Sequence, residues 1–251
     1  MVGPVFGQEP TPSSTFSRAV LLPAASVNVS ASSPGIIRSQ PVAEGERVKA
    51  GQLVVELDPQ EEESRVKEAE GMFDATVAEL ARAEAAFHRA EELFHADYQS
   101  QRQFEDAKAA YERAKAQRKQ AEGSLDGARI RLARKFVRAP FDGVLLRRFK
   151  VPGEAVETFE IVARILDDRY LEMLMFGDAN QFGTIKLGDK LPIELLDGPK
   201  RGTRLEAEVV SVDPVIDPAS GTFRFKLRLA PQENVVVGLS ARLLPQTPPA
   251  K

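Results

Sequence analysis

Between Val66 and Leu132 bulky residues return every seven positions, over a length that few folds can absorb. Val66, Phe73, Leu80, Phe87 and Phe94 form one row, with Ala69, Thr76, Ala83 and Ala90 three residues behind its first four members. After a polar break the rhythm resumes as Phe104, Tyr111, Arg118, Leu125 and Leu132, accompanied by Ala107, Ala114, Ala121 and Ala128. A sustained heptad places both rows on one narrow stripe of a helix, which is the signature of a coiled coil. Two such runs joined by a few residues must fold back on each other as an antiparallel hairpin. At about 35 residues per helix and about 1.5 Å per residue, the hairpin would reach roughly 50 Å.

The pattern also suggests a register. If the bulky row of each helix meets the alanine row of the other, Phe94 faces Ala107, Phe87 faces Ala114, Leu80 faces Ala121, Phe73 faces Ala128, Tyr111 faces Ala90 and Leu132 faces Ala69, with large set against small throughout. The alternative, bulky against bulky, would force the helices apart. Asp58-Pro59-Gln60-Glu61 provides an N-cap, a proline at the first helical position and an acid at the third, so the first helix is expected to start at Pro59. Glu62 and Glu63 add charge that suits the helix dipole. Ser100-Gln101-Arg102-Gln103 repeats the capping pattern, and Arg131, Arg134 and Lys135 place positive charge at the second helix's end. The turn therefore falls near His95 to Gln99.

The segments flanking the hairpin repeat each other. Gly35-Ile36-Ile37 followed by Gly45-Glu46-Arg47-Val48 recurs, 108 residues on, as Gly143-Val144-Leu145 followed by Gly153-Glu154-Ala155-Val156. One small β-unit is thus divided by the helical arm. Beyond it, Tyr170 to Phe176, Lys190 to Leu196, Arg204 to Val212, Thr222 to Leu229 and Ser240 to Leu244 read as strands. Gly188-Asp189, Asp197-Gly198 and the run from Asp217 to Gly221 supply turns between them. These strands suggest a small antiparallel barrel, to which Arg18 to Leu22 would add a strand from the other end of the chain.

The expected class is therefore α+β: a long antiparallel coiled-coil hairpin inserted in a split β-sandwich, followed by a β-barrel. The boundaries are a flexible tether over 1–17, a first barrel strand over 18–24, the first β-half over 25–58, the hairpin over 59–135, the second β-half over 136–167, the barrel over 168–245 and a tail over 246–251. With 251 residues of which 43% are hydrophobic, the chain has material for such cores. No stretch approaches the roughly 20 apolar residues of a membrane span, and Met1 to Ser17 lacks the form of a secretory signal. The absence of cysteine excludes disulfides and thiolate chemistry, and a net charge of −3 gives no reason to expect nucleic acid.

This nesting resembles the periplasmic adaptor, or membrane fusion protein, family of bacterial efflux and secretion pumps. The resemblance is carried by Gly35-Ile36-Ile37, Val42-Ala43-Glu44-Gly45-Glu46-Arg47-Val48-Lys49-Ala50-Gly51-Gln52-Leu53 through Leu57-Asp58, then Val137-Arg138-Ala139-Pro140-Phe141-Asp142-Gly143 and Val151-Pro152-Gly153-Glu154. These runs are similar to the halves of that family's lipoyl-like domain, and Ile216 to Thr222 resembles a turn of its barrel. The resemblance implies a non-enzymatic adaptor without a cofactor, which self-associates as a ring of three or six copies. Its partners would be an inner-membrane transporter, of resistance-nodulation-division (RND) or ABC type, and a TolC-like outer-membrane channel. The implied location is the periplasm, with tethering to the inner membrane by an N-terminal segment outside this sequence. The run Pro245 to Ala250 is too short and proline-rich for the further membrane-proximal domain of the most familiar adaptors. An adaptor of a type I secretion system driven by an ABC transporter is the alternative within the family.

Adaptors that dock on TolC-like channels resemble one another in an Arg, a Leu four residues later and a Ser seven beyond that. Arg89, Leu93 and Ser100 have this spacing and fall at the expected turn. A plain structural account stands beside it, with Ser100 as an N-cap and Arg89 as a solvated face residue. Other candidates are weaker. His88 and His95 lie two helical turns apart, not the single turn that a shared metal requires. Arg118 interrupts the apolar seam and is expected to snorkel or to pair with a glutamate of the opposite helix. Gly71 and Gly123 fall on the outward row, where they soften the arm or admit a neighbouring one. A lipoyl or biotin carrier is disfavoured, because the hairpin stands where the carrier lysine's turn would be and Lys49 belongs to a different turn.

Overall fold

The chain runs β1 (Arg18–Val20), β2 (Leu22–Ser30), β3 (Gly35–Ser39), β4 (Arg47–Val48), β5 (Leu53–Leu57), α1 (Gln60–His95), α2 (Gln101–Ala133), β6 (Phe136–Arg138), β7 (Gly143–Arg148), β8 (Ala155–Val156), β9 (Ile161–Asp178), a short 3-10 turn (Ala179–Gln181), β10 (Lys190–Leu195), β11 (Arg204–Asp217), β12 (Thr222–Leu229) and β13 (Ser240–Leu243). The computed structural model describes residues 18–244. The expected tether over 1–17 and tail over 246–251 lie outside the described residues. Two units are distinct: one is Asn28–Ile165, and the described part of the other is residues 18–27 with 166–244. Among the described residues no helix is long and apolar enough to cross a membrane.

In the first unit the repeated sequence becomes a repeated structure in which each half lends a strand to the other. Gly35 and Ile36 of β3 pair with Val156 and Ala155 of β8. The equivalents 108 residues away, Gly143 and Val144 of β7, pair with Val48 and Arg47 of β4. Hydrogen bonds follow the same approximate two-fold: Gly153 N–H donates to Ile37 O at 2.8 Å, as Gly45 N–H does to Leu145 O at 2.8 Å. Both turn glycines hold the left-handed conformation that a side chain resists, with φ of 84° at Gly45 and 93° at Gly153. One sheet has the order β6-β5-β3-β8, and in the other β4 pairs with β7, β7 with β9, and β9 with β2. Val29, Ala31, Ile37, Val48, Val55, Leu57, Val137, Leu145, Val156 and Ile165 fill the space between them. Strand alternation sends these residues inward.

The hairpin prolongs the β5–β6 pair, because β5 leads into α1 and α2 leads into β6. Its root is clamped: Leu57 N–H donates to Lys135 O at 2.8 Å, Asp58 N–H to Ile36 O at 2.9 Å and Lys135 Nζ to Pro34 O at 2.8 Å. The helix begins at Gln60, one residue later than expected, so Pro59 and not Asp58 is its N-cap, without a side-chain cap bond; Asp58, the residue before the cap, instead accepts from Gln60 N–H at 3.2 Å. Glu62 is not merely a dipole residue, since it is buried and its carboxylate meets Arg65 at 3.4 Å and Arg131 of the opposite helix at 3.7 Å. Glu70 joins Arg129 across the pair at 3.0 Å.

The expected large-against-small register is corrected by the ring contacts. Phe94 stacks on Phe104 with centroids 5.1 Å apart, and Phe87 stacks on Tyr111 at 5.4 Å. Rings packed nearly parallel lie alongside one another instead of wedging the helices apart, while Ala83, Ala90, Ala114 and Ala128 are buried in the same seam. Arg118 lies over the Phe73 ring at 5.6 Å, as snorkelling predicts. Its glutamate partner is Glu122 on its own helix at 3.5 Å, not one opposite.

The second unit is an antiparallel sheet of order β1-β13-β10-β11-β12-β9, curved round Leu21, Met173, Met175, Leu191, Ile193, Val209, Phe223, Phe225 and Leu227. Its first strand does come from far away in sequence: Arg18 pairs with Arg242 and Val20 with Ser240. Two strands differ from expectation. β9 begins at Ile161, well before Tyr170, and β11 continues to Asp217 through two register shifts against β12. The expected boundary at 167/168 falls inside β9, where Asp167 is buried and its carboxylate accepts from both the backbone and the guanidinium of Arg169.

Candidate functional site: the tip of the helical hairpin

The two helices end at a turn that is fastened on both sides. α1 closes with Tyr98 N–H donating to Leu93 O at 2.9 Å and Asp97 N–H to Phe94 O at 3.1 Å. This is the paired C-terminal bonding of a Schellman motif. It requires a left-handed residue after the cap, and here Asp97 has φ of 60° where glycine is usual. α2 opens with the expected capping box: Gln103 N–H donates to Ser100 Oγ at 3.4 Å, and Ser100 N–H donates to Gln103 Oε1 at 3.1 Å. Directly below, the Phe94–Phe104 stack joins the helices. The tip is thus a pre-ordered element, and binding there need not meet the entropy of ordering a loose loop.

All three residues singled out from the sequence are exposed and belong to this end of the hairpin. Leu93 lies in the last turn of α1, Arg89 one turn earlier, and Ser100 caps α2. Leu93 presents 46% of its surface and Tyr98 83%. Tyr98 was missed by sequence reasoning. Its only signal was an aromatic residue in a short predicted turn, where burial in the seam was impossible. Apolar surface held at an extremity gains nothing until a partner covers it. The exposed groups are those of a contact surface: the Arg89 cation, the Leu93 side chain, the Tyr98 phenol and the Ser100 hydroxyl.

The remaining candidates sit in ordinary surroundings. His88 is 3.5 Å from Glu91 and packs obliquely on Phe87, while His95 packs on Phe94. Among the described residues no cluster of three metal-ligating side chains exists. Lys49 is exposed in the turn between β4 and β5, with its amide N–H bonded to Gln52 Oε1 at 2.9 Å.

Residues 57–134 match the family described as RND MFP, alpha-helical hairpin domain. The Multidrug resistance protein MdtA of Escherichia coli O7:K1 is 27% identical over 214 residues, which is 81% of this chain and 51% of the relative. That of Erwinia amylovora is 28% identical over 197 residues, 76% of this chain and 48% of the relative. The chain therefore spans about half the length of the curated relatives it matches. The fold is shared with a MacA-MexA chimera carrying the Pseudomonas aeruginosa MexA α-hairpin, at TM-score 0.63 and 22% identity, covering 91% of this chain and 77% of that one. It is shared equally with the membrane fusion protein Spr0693 of Streptococcus pneumoniae R6, at TM-score 0.69 and 13% identity, covering 93% and 100%. The hairpin is of the class found in RND-associated adaptors. Outside the hairpin, the chain shares the fold of solved membrane fusion proteins and is similar to the MdtA proteins.

Proposed function

We propose that this protein is the periplasmic adaptor subunit of a tripartite efflux pump, joining an inner-membrane transporter to a TolC-like outer-membrane channel through its hairpin tip. The role is mechanical. Several copies assemble head to tail into a ring that closes by rotation, as three or six subunits, and the hairpins reach the channel. The transporter is of RND type in the first instance, since the hairpin matches that class and the curated relatives are named multidrug resistance proteins. An ABC-type partner is the alternative within the family. An N-terminal segment outside the given sequence tethers the assembly to the inner membrane.

The observation that carries this reading is Leu93, exposed beside Tyr98 on a tip capped at both ends. In the docked state Leu93 is the apolar contact, Arg89 supplies a charge-assisted hydrogen bond and the Ser100 hydroxyl a further one. Leu93→Asp tests it. The variant should keep the helicity of the parent by circular dichroism and should fail to retain a TolC-like channel in a pull-down. Undiminished channel retention by the folded variant would overturn the docking role.

A further inference from the structure

The two-fold repeat of the β-unit is broken at one pair of turns, and broken in a complementary way. The turn from β4 to β5 contains Lys49-Ala50-Gly51-Gln52, and the turn from β8 to β9, 108 residues later, contains Glu157-Thr158-Phe159-Glu160. Their backbones are the same. Gly51 has φ of 79° and Phe159 φ of 67°. Gly51 N–H donates to Ala139 O at 2.8 Å, as Phe159 N–H does to Ala31 O at 2.8 Å. Lys49 N–H donates to Gln52 Oε1 and Glu157 N–H to Glu160 Oε2, both at 2.9 Å. The side chains differ at all four positions, and most in size and charge at two: glycine against phenylalanine, lysine against glutamate.

A left-handed backbone suits Gly51 and strains an aromatic residue. Phe159 nevertheless holds it with 81% of its surface exposed, fixed by the bonds above and by the ion pair of Lys150 with Glu160 at 2.6 Å. This ion pair raises the lysine's pKa and lowers the glutamate's. A strained, rigid and solvated ring contributes nothing to its own subunit, which is the circumstance in which strain points to function. At the equivalent turn a side chain added to Gly51 would meet nothing within 4 Å, so that surface is open. Its rim is positive, with exposed Lys49 and with Arg138 donating to Gly51 O at 2.9 Å, while the nearby Asp142 is engaged with Ala50 N–H at 2.7 Å. The rim around Phe159 is negative, with Glu154, Glu157 and the paired Glu160. The first turn packs on Ala139, just past β6, and the second follows β8; β6 and β8 are opposite edges of one sheet.

We infer that the occupant of each turn is a second copy of this chain: Phe159 of one subunit seats over Gly51 of the next, with Glu157 against Lys49. A knob and an acidic rim on one edge, with a bare turn and a basic rim on the other, form a heterologous contact, which generates rings or filaments and not closed dimers. The inference rests on the ring assembly proposed above and assigns the surface through which it forms.

Phe159→Gly tests it without endangering the fold, because glycine relieves the strain at that φ. By sedimentation of the full chain, self-association should weaken at least about tenfold, with a melting temperature no lower than the parent's. Lys49→Glu should weaken it too, and adding Glu157→Lys should restore it. Because the chain has no cysteine, Ala50→Cys with Thr158→Cys provides a second reading. Oxidation of the pair should yield a ladder beyond dimers, and neither single variant should cross-link. Association unchanged by Phe159→Gly, or dimers formed readily by either single cysteine, would overturn this contact while leaving the ring standing. A parent chain that stays monomeric at all concentrations would overturn both.

Discussion

Phe87 lies nearly parallel to Tyr111 across the hairpin, with ring centroids 5.4 Å apart and planes 10° from parallel, while its edge leans toward Phe104 at 5.8 Å. One side chain thus joins α1 to α2 at two successive levels. Offset stacking contributes beyond the burial of area, so removal of this ring should be felt more than that of any single alanine. Phe87→Ala should destabilise the unit by about 3 kcal/mol, the low end for a phenylalanine truncation because the ring is only half buried. Urea unfolding followed at the helical circular-dichroism band measures it. Tyr111→Phe, which keeps the stack, should change stability by less than about 0.5 kcal/mol.

Gly71 and Gly123 interrupt the outward row of the two helices, and a methyl group placed on either would meet nothing within 4 Å. Neither glycine is required by packing within the subunit. Gly71→Ala and Gly123→Ala should each stabilise the hairpin by up to about 1 kcal/mol, through better helix propensity and a less free unfolded chain. Thermal melts of the single and double variants check this. Export assays in the same variants separate two roles: full activity means the glycines only soften the arm, and lost activity in a more stable protein means a neighbouring arm uses the gap.

The elements whose information is local were legible in the sequence. The heptads announced both helices, the Ser100–Gln103 capping box marked the second start, and the 108-residue repeat announced a divided β-unit. Register was not legible, because period seven determines which face of a helix is apolar but leaves the level at which two such faces meet open. The aromatic stacks decide that level, and they are a property of the pair. The exchange of strands between the β-halves is likewise a long-range pairing that no local pattern encodes, and although a strand from 18–22 was expected in the barrel, its partner, with Arg18 beside Arg242, was not. At the tip, Arg89, Leu93 and Ser100 were singled out because their spacing resembles that of channel-docking adaptors, and the structure places all three, exposed, at this end of the hairpin. Tyr98 was missed because exposure at a turn has no periodic signal, and Asp97 because glycine is the residue ordinarily expected at a left-handed cap.

Asp167 is a carboxylate buried within a strand, at the expected boundary between the second β-half and the barrel. Its oxygens accept from the Arg169 guanidinium at 2.8 Å and from the Arg169 backbone N–H at 3.0 Å. These bonds, led by the guanidinium, hold its pKa below the ordinary carboxylate value against the opposing effect of burial. Asp197 is lowered in the same unit by the Ser240 backbone N–H, with smaller help from the Ser240 hydroxyl and Arg18. A carboxyl whose folded pKa is depressed stabilises the fold fully above its unfolded pKa, and that stability is lost as pH falls through the folded value. The unit containing both should therefore be pH-insensitive near neutrality and weaken below about pH 4. Asp167→Asn should lose roughly 1.5 kcal/mol at pH 7. The urea midpoints of parent and variant should then draw together as the pH is lowered below about 4, and a gap that does not shrink at all over that range would refute the assignment.

The most severe backbone requirement in the curved sheet is set by Phe223. It stands directly opposite Gly177 in the β12–β9 ladder and is 1% exposed. Its ring lies across the glycine, with two of its carbons 2.6 Å from the place a Cβ would occupy. Phe182 meets the same ring edge-on at 5.3 Å and Phe225 lies 5.8 Å away, so the ring has little room to retreat. Here glycine is needed for space and not for its backbone freedom. Gly177→Ala should destabilise the unit by about 1 to 3 kcal/mol through overpacking. Phe223→Leu alone should also destabilise, by leaving part of the core unfilled. Combined, the smaller side chain makes room for the methyl group, so the double variant should be more stable than the sum of the two losses predicts. A double-mutant cycle in urea measures that coupling, and strict additivity would mean that Phe223 is not what excludes a side chain from position 177.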